Sequence, residues 1–202
     1  MAKFLRNQGR TGLRSILDHI ARACVSVGIT ANGVTLACTV IVVAASVTLI
    51  PTGYWLWALV VLLIACLGDV LDGSIARISG NSGRFGALLD SVCDRLADGA
   101  ILGSMAFFFA LHDRYLEMAV ALACLVTSEV VSYAKARAEG LGATCDVGMV
   151  ERLERLILIG VAGLLEIVGV PYGALAVLTV LALLSFATIA QRLVHTKAQL
   201  SS

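Results

Sequence analysis

Five aspartates stand where an apolar chain can least accommodate them. Asp69 and Asp72 lie in one hydrophobic stretch, and Asp90, Asp94 and Asp98 lie in the next. Residues three or four apart share a helix face, so Asp69 pairs with Asp72 and Asp90 with Asp94. The linker Ser79-Gly-Asn-Ser-Gly is short enough to make the two helices antiparallel neighbours, which predicts that the four carboxylates come together. A charge within a membrane span costs about 2.5–3.5 kcal/mol on insertion scales, so such a cluster needs a cation or a water-filled cavity. An all-carboxylate cage is hard and suits Mg²⁺, Mn²⁺ or Ca²⁺ rather than zinc or copper. Its nominal charge of −4 would neutralise two divalent ions, the arrangement that phosphoryl chemistry uses. An ion-pair network with Arg77, Arg84 and Arg95 is the other use of such charges.

Two glycines flank the carboxylates: Gly73 follows Asp72, and Gly86 precedes Asp90 by one turn. A missing side chain lets a bulky ligand or a helix backbone approach closely. Arg77 lies one turn beyond Gly73, where its planar fork could hold a diphosphate. Together these residues describe a site for a phosphate-bearing ligand.

The surrounding chain must place this site in a membrane. Of 202 residues, 59% are hydrophobic and 14% charged, with a mean hydropathy of +0.93. Soluble domains carry roughly 45–50% apolar and about 25% charged residues. A soluble enzyme is thereby excluded, and so is disorder, whose composition is the opposite. Fifteen Lys and Arg against fourteen Asp and Glu leave a net charge of +1, which gives no basis for nucleic-acid binding. The six cysteines are scattered, without a C-x-x-C pair or a disulfide framework.

A spanning helix needs about 20 mostly apolar residues. Six segments qualify: Ala31 to Ile50, Tyr54 to Arg77, Phe85 to Leu111, Arg114 to Arg137, Val150 to Val168 and Pro171 to Gln191. Turn-like breaks separate them, among them Pro51-Thr-Gly, His112-Asp113 and Gly140-Leu-Gly. The expected fold is an all-α integral membrane protein with six transmembrane helices, forming one domain over 1–202 with its core at 31–193. Residues 1–30 form a cytoplasmic or interfacial segment. Within it Leu13, Ile16, Leu17, Ile20, Cys24 and Val27 recur at helical steps, the pattern of an amphipathic helix lying in the interface. Packing against the protein's own cytoplasmic end is the alternative.

Loop charges give the orientation. With the N-terminus cytoplasmic, the inner side receives Lys3, Arg6, Arg10, Arg14, Arg22, Arg77, Arg84, Lys135, Arg137, Arg152, Arg155, Arg192 and Lys197, whereas the outer turns hold Arg114. Both termini and the site are therefore expected at the cytoplasmic face of the membrane.

Asp69-x2-Asp72-Gly73-x2-Ala76-Arg77-x8-Gly86-x3-Asp90-x3-Asp94 fixes eight residues over 26 positions. The chain thereby resembles the CDP-alcohol phosphotransferase family. The resemblance implies a six-helix homodimer that uses a CDP-linked lipid, CDP-diacylglycerol, and releases CMP as it joins two alcohols through a phosphodiester. It implies two divalent ions, Mg²⁺ or Mn²⁺, on Asp69, Asp72, Asp90 and Asp94, with Asp94 as general base. It also gives Gly73 and Arg77 to the nucleotide and its diphosphate, and Gly83 to a loop closing over the phosphates. A T-P-N-like segment of the family reads Thr30-Ala31-Asn32 here, so Thr30 and Asn32 are carried over to nucleotide binding. Ala31 departs from the usual Pro, and helix capping by Thr30 is the competing role.

The acceptor must be read from other helices. Ser132 and Lys135 share a face, Arg155 opens the fifth span, and Arg192 closes the sixth. A hydroxyl and three cations form a second anionic pocket, which suits an acceptor that itself carries phosphate. Plain positive-inside anchoring is the alternative. The resemblance is strongest to the branch of the family whose acceptor is inositol phosphate. Glycerol 3-phosphate is the nearest other acceptor, and a small cation transporter is a remote alternative of another class.

Overall fold

The computed structural model describes residues 18–80 and 83–201, and among them the chain is all helix and connecting turn. Among the described residues seven helices follow one another: α1 over 18–26, α2 Ala31–Leu49, α3 Trp55–Ser79, α4 Arg84–Leu111, α5 Tyr115–Gly140, α6 Arg152–Val168 and α7 Gly173–Leu200. Helices α2 to α7 occupy the six apolar segments. Leu13, Ile16 and Leu17 of the amphipathic stretch lie outside the described residues, as do Lys3, Arg6, Arg10 and Arg14. In the described part, α1 buries Ala21 completely, while Ile20 on it and Val27 just beyond it are exposed.

The helices stop where local chemistry demands it. Gly53 at φ +79° turns the chain between α2 and α3, and Asp113 at φ +56° does so between α4 and α5. Gly169, left-handed at φ +73°, ends α6. At the other end of α6, Glu151 and Glu154 form a reciprocal capping box. Helix α7 runs to Leu200, well past the expected end near Gln191. Hydrophobicity ends near Gln191, but Arg192 to Leu200 contains no Gly or Pro to break the helix.

Four helices, α2, α3, α5 and α7, are long and apolar enough to cross a membrane. Their flanks leave large side chains such as Val40, Leu63, Val126 and Leu183 more than half exposed, as lipid-facing residues must be. Helix α4 carries Arg84, Asp90, Asp94, Arg95 and Asp98 within its first 15 of 28 residues, and α6 is only 17 residues long. The chain is an integral membrane protein on this evidence.

The chain divides into two compact units, Met1–Ala44 with Val60–Ala97, and Ala45–Leu59 with Asp98–Ser202. In the first, Ile75 and Cys93 are buried, and Thr35 donates to Asp72 Oδ2 at 2.6 Å. In the second, α5 and α6 pack on α7 around Leu178 and Leu181, which are fully buried. Trp55 meets Phe108 edge to face at 4.9 Å. Arg114, just before α5, grips Glu166 of α6 through Nη1 and Nη2 at 2.8 and 2.9 Å, and its guanidinium lies 4.7 Å from the Phe109 ring centre. Glu166 and Glu117 raise the Arg114 pKa above its ordinary value, against a smaller opposing effect of burial.

Candidate active site

In the first unit α2, α3 and α4 each present one polar face. Thr30 caps α2 by accepting the Gly33 N–H at 3.1 Å, so the capping role proposed for it is realised. The cap fixes the following turn, including Asn32. Gly86 allows α4 to approach that turn: a Cβ there would lie 3.2 Å from Asn32 Oδ1. The Gly83 carbonyl accepts the Gly86 N–H at 3.0 Å and so starts α4.

Two adjoining cavities share Asn32, Gly83 and Gly86 on their walls. The larger, about 380 Å³, is also lined by Thr30 and Phe85. The smaller, about 210 Å³, is lined by Thr35, Asp72, Gly73 and Asp90. A Cβ added to Gly73 would meet no atom within 4 Å, so nothing in the protein's own packing requires glycine there. The absent side chain leaves room beside Asp72.

Asp72 is buried and held by Thr35, and Asp69 and Asp90 are near enough to act on it electrostatically. Asp94 faces Arg95 Nη2 at 3.6 Å. As the side chains stand, no group of three His, Cys, Asp or Glu residues among those described converges to metal-holding distance. Like charges repel, and Asp72 and Asp94 are each turned toward a partner on their own side. The donor set itself fits a hard divalent cation: carboxylates in i,i+3 and i,i+4 pairs, with Asp72 and Asp90 on one cavity wall. Arg77 donates to Ser74 Oγ at 2.9 Å and lies 4.0 Å from Asp18 of α1. Thr35 was missed in the sequence; its signal was a polar side chain one turn beyond Ala31 in an apolar helix.

The four residues of the expected anionic pocket belong to the second unit, and they find different partners. Arg155, 3% exposed, donates through Nη2 to Asp98 Oδ2 at 3.1 Å and reaches Ser132 Oγ at 3.5 Å. Lys135 donates to Asp146 Oδ1 at 2.9 Å. That bond holds the exposed Asp146 carboxyl below the usual aspartate range. Arg192 is buried and donates to the carbonyls of Val147 at 2.9 Å and Val131 at 2.6 Å. Gly148, at φ +147°, adjoins it: a Cβ there would collide with Thr188 and lie in ordinary contact with the Arg192 guanidinium. Thus Ser132 and Arg155 come together, while Lys135 and Arg192 are drawn to the loop between α5 and α6. Of the alternative ion-pair network, Asp94 with Arg95 is present, while Asp98 of the second unit faces Arg155 and Arg152.

An all-helical membrane chain with this carboxylate and glycine arrangement defines a class, and comparison with known proteins agrees. The family model for CDP-alcohol phosphatidyltransferase matches residues 28–193. The chain belongs to that family and is an integral-membrane transferase. Phosphatidylinositol phosphate synthase of Corynebacterium glutamicum is 40% identical over 189 residues, covering 92% of this chain and 86% of that protein. The protein of the same name from Mycobacterium tuberculosis is 42% identical over 191 residues, covering 93% and 88%. The crystal structure of the M. tuberculosis phosphatidylinositol phosphate synthase with CDP-DAG bound matches at a TM-score of 0.84 and 38% identity, over 90% of this chain and 94% of that one. A second crystal structure, in complex with manganese and citrate, matches at 0.84 and 40% identity over 89% and 88%.

Proposed function

We propose that this protein transfers the phosphatidyl group of CDP-diacylglycerol to a hydroxyl of inositol phosphate, giving phosphatidylinositol phosphate and CMP. The observation that carries the reading is the complete eight-residue signature on α3 and α4, with Asp72, Gly73, Gly86 and Asp90 on one cavity. The similarity to phosphatidylinositol phosphate synthases over most of the chain supports the choice of acceptor.

Each residue then has a task. Thr30 and Asn32 receive the nucleotide, Gly73 lets it approach α3, and Arg77 and Gly83 meet the diphosphate. Two divalent ions, Mg²⁺ or Mn²⁺, held by Asp69, Asp72, Asp90 and Asp94 would neutralise charge on the diphosphate. Asp94 takes the proton of the attacking hydroxyl. The hydroxyl oxygen bonds to the β-phosphorus, the bond from that phosphorus to the bridging oxygen breaks, and CMP leaves with the electron pair. Ser132, Lys135, Arg155 and Arg192 hold the acceptor's phosphate. Lys135 exchanges Asp146 for that phosphate, while Arg192 keeps its carbonyl bonds and adds its field.

The same reading places six spans in a bacterial cell membrane, with α4 and α6 completing the four apolar ones. It puts both termini and the site on the cytoplasmic side, and it includes a homodimer. Family membership leaves the transporter alternative without support. The test is release of CMP by the purified protein in detergent, supplied with CDP-diacylglycerol and either inositol phosphate or glycerol 3-phosphate. Activity with inositol phosphate supports the proposal; activity confined to glycerol 3-phosphate refutes the acceptor.

A further inference from the structure

Asp98 lies outside the eight-residue signature and has no task in the reaction as described. It is 2% exposed, on a helix whose preceding turns already carry two carboxylates. Its Oδ2 accepts from Arg155 Nη2 at 3.1 Å, and its Oδ1 lies 3.9 Å from Arg152 Nε. The same Nη2 of Arg155 reaches Ser132 Oγ at 3.5 Å. We propose that Asp98 is a positioning residue that tethers the Arg155 guanidinium beside Ser132 and thereby sets the affinity for a phosphorylated acceptor.

Three observations carry this inference, which rests on the reading of Ser132 and Arg155 as phosphate ligands. The first is geometric. Within the same unit, Arg114 grips Glu166 with two short bonds, the bidentate form that maximises strength. Asp98 holds Arg155 through one nitrogen, and neither Asp98 Oδ1 nor Arg155 Nε makes a hydrogen bond. One anchored corner fixes the direction of the fork and leaves its other donors for a ligand. The second is charge: one carboxylate faces two guanidinium groups, so Asp98 by itself does not neutralise both of them. The third is burial. An ion pair this deep is a poor source of stability compared with apolar side chains of similar volume, whereas a fixed arginine binds without first having to be ordered.

The experiment measures donor and acceptor KM, with kcat, for full-length wild type, Asp98→Asn, Arg155→Met and the double variant in detergent. Asp98→Asn should raise the inositol phosphate KM about tenfold, equivalent to about 1.4 kcal/mol. The CDP-diacylglycerol KM and the kcat at saturating acceptor should stay within about twofold, since only ground-state acceptor binding is touched. In the Arg155→Met background the Asp98 change should add nothing, because residues acting through one contact are not additive. An unchanged acceptor KM, an equal rise for both substrates, or a full further penalty in the double variant overturns the proposal. If Asp98→Asn does not fold, the double variant removes both buried charges and is compared with Arg155→Met alone. Equal acceptor KM values then support the tether, and a further rise refutes it. If wild type accepts glycerol 3-phosphate but not inositol phosphate, the acceptor assignment fails. The same comparison is then made with glycerol 3-phosphate, where an acceptor-selective shift still supports the tether.

Discussion

At Asp94, the proposed base, turnover depends on a single proton. As the proposed general base, Asp94 would remove the hydroxyl proton of the acceptor, so Asp94→Asn should lower CMP release by about 10²- to 10⁴-fold while CDP-diacylglycerol still binds. Near-normal CMP release from the variant would assign the base elsewhere. Asp146 makes the opposite prediction, because it occupies Lys135 at 2.9 Å. Asp146→Asn should release that lysine and lower the acceptor KM by a few fold, read from initial rates. The sign of its pH dependence follows from the depressed Asp146 pKa. The pairing is present above the ordinary aspartate value of about 3.9 and is lost as pH falls through the lower folded value. Wild type and Asp146→Asn should therefore show the same shape of acceptor KM against pH across the neutral range.

At the scale of the elements, Gly73 separates packing from ligand binding. A Cβ there meets open space, so Gly73→Ala should stabilise α3 by roughly 0.5–1 kcal/mol, the cost of glycine in a helix. The same methyl should raise the donor KM, since it intrudes on the cavity beside Asp72. A stabilised protein with an unchanged donor KM would show that no ligand approaches α3 at this point. The helices were legible because their apolar runs are bounded by residues that must turn: Gly53, Asp113 and Gly169 all sit at positive φ. The end of α7 was not, because hydrophobicity marks where a membrane stops and not where a helix stops. Within the site, spacing along one helix paired Asp69 with Asp72, but no period reveals partners that are far apart in sequence. Thr35 meets Asp72 across 37 positions, Arg155 meets Asp98 across 57, and Arg192 meets the Val131 carbonyl across 61. Arg192 shows the consequence: a cation at the expected level has donors already engaged by backbone carbonyls.

At the scale of the whole molecule, the proposed reaction requires divalent ions at the carboxylates and an anion at the cations. Chelation with EDTA should abolish turnover, and Mg²⁺ or Mn²⁺ should restore it, with CMP release as the measure. Activity that survives exhaustive chelation would remove the carboxylates from the chemistry. The anionic pocket is tested most directly by acceptor choice. Purified protein with CDP-diacylglycerol and metal would be given inositol phosphate, unphosphorylated inositol or glycerol 3-phosphate in parallel, and kcat/KM measured for each. A charged hydrogen bond is worth about 1.5–3 kcal/mol, so inositol phosphate should exceed plain inositol by at least about tenfold, and it should also exceed glycerol 3-phosphate. Equal use of inositol and inositol phosphate would contradict the account, leaving Lys135, Arg155 and Arg192 as topology anchors and the acceptor unassigned.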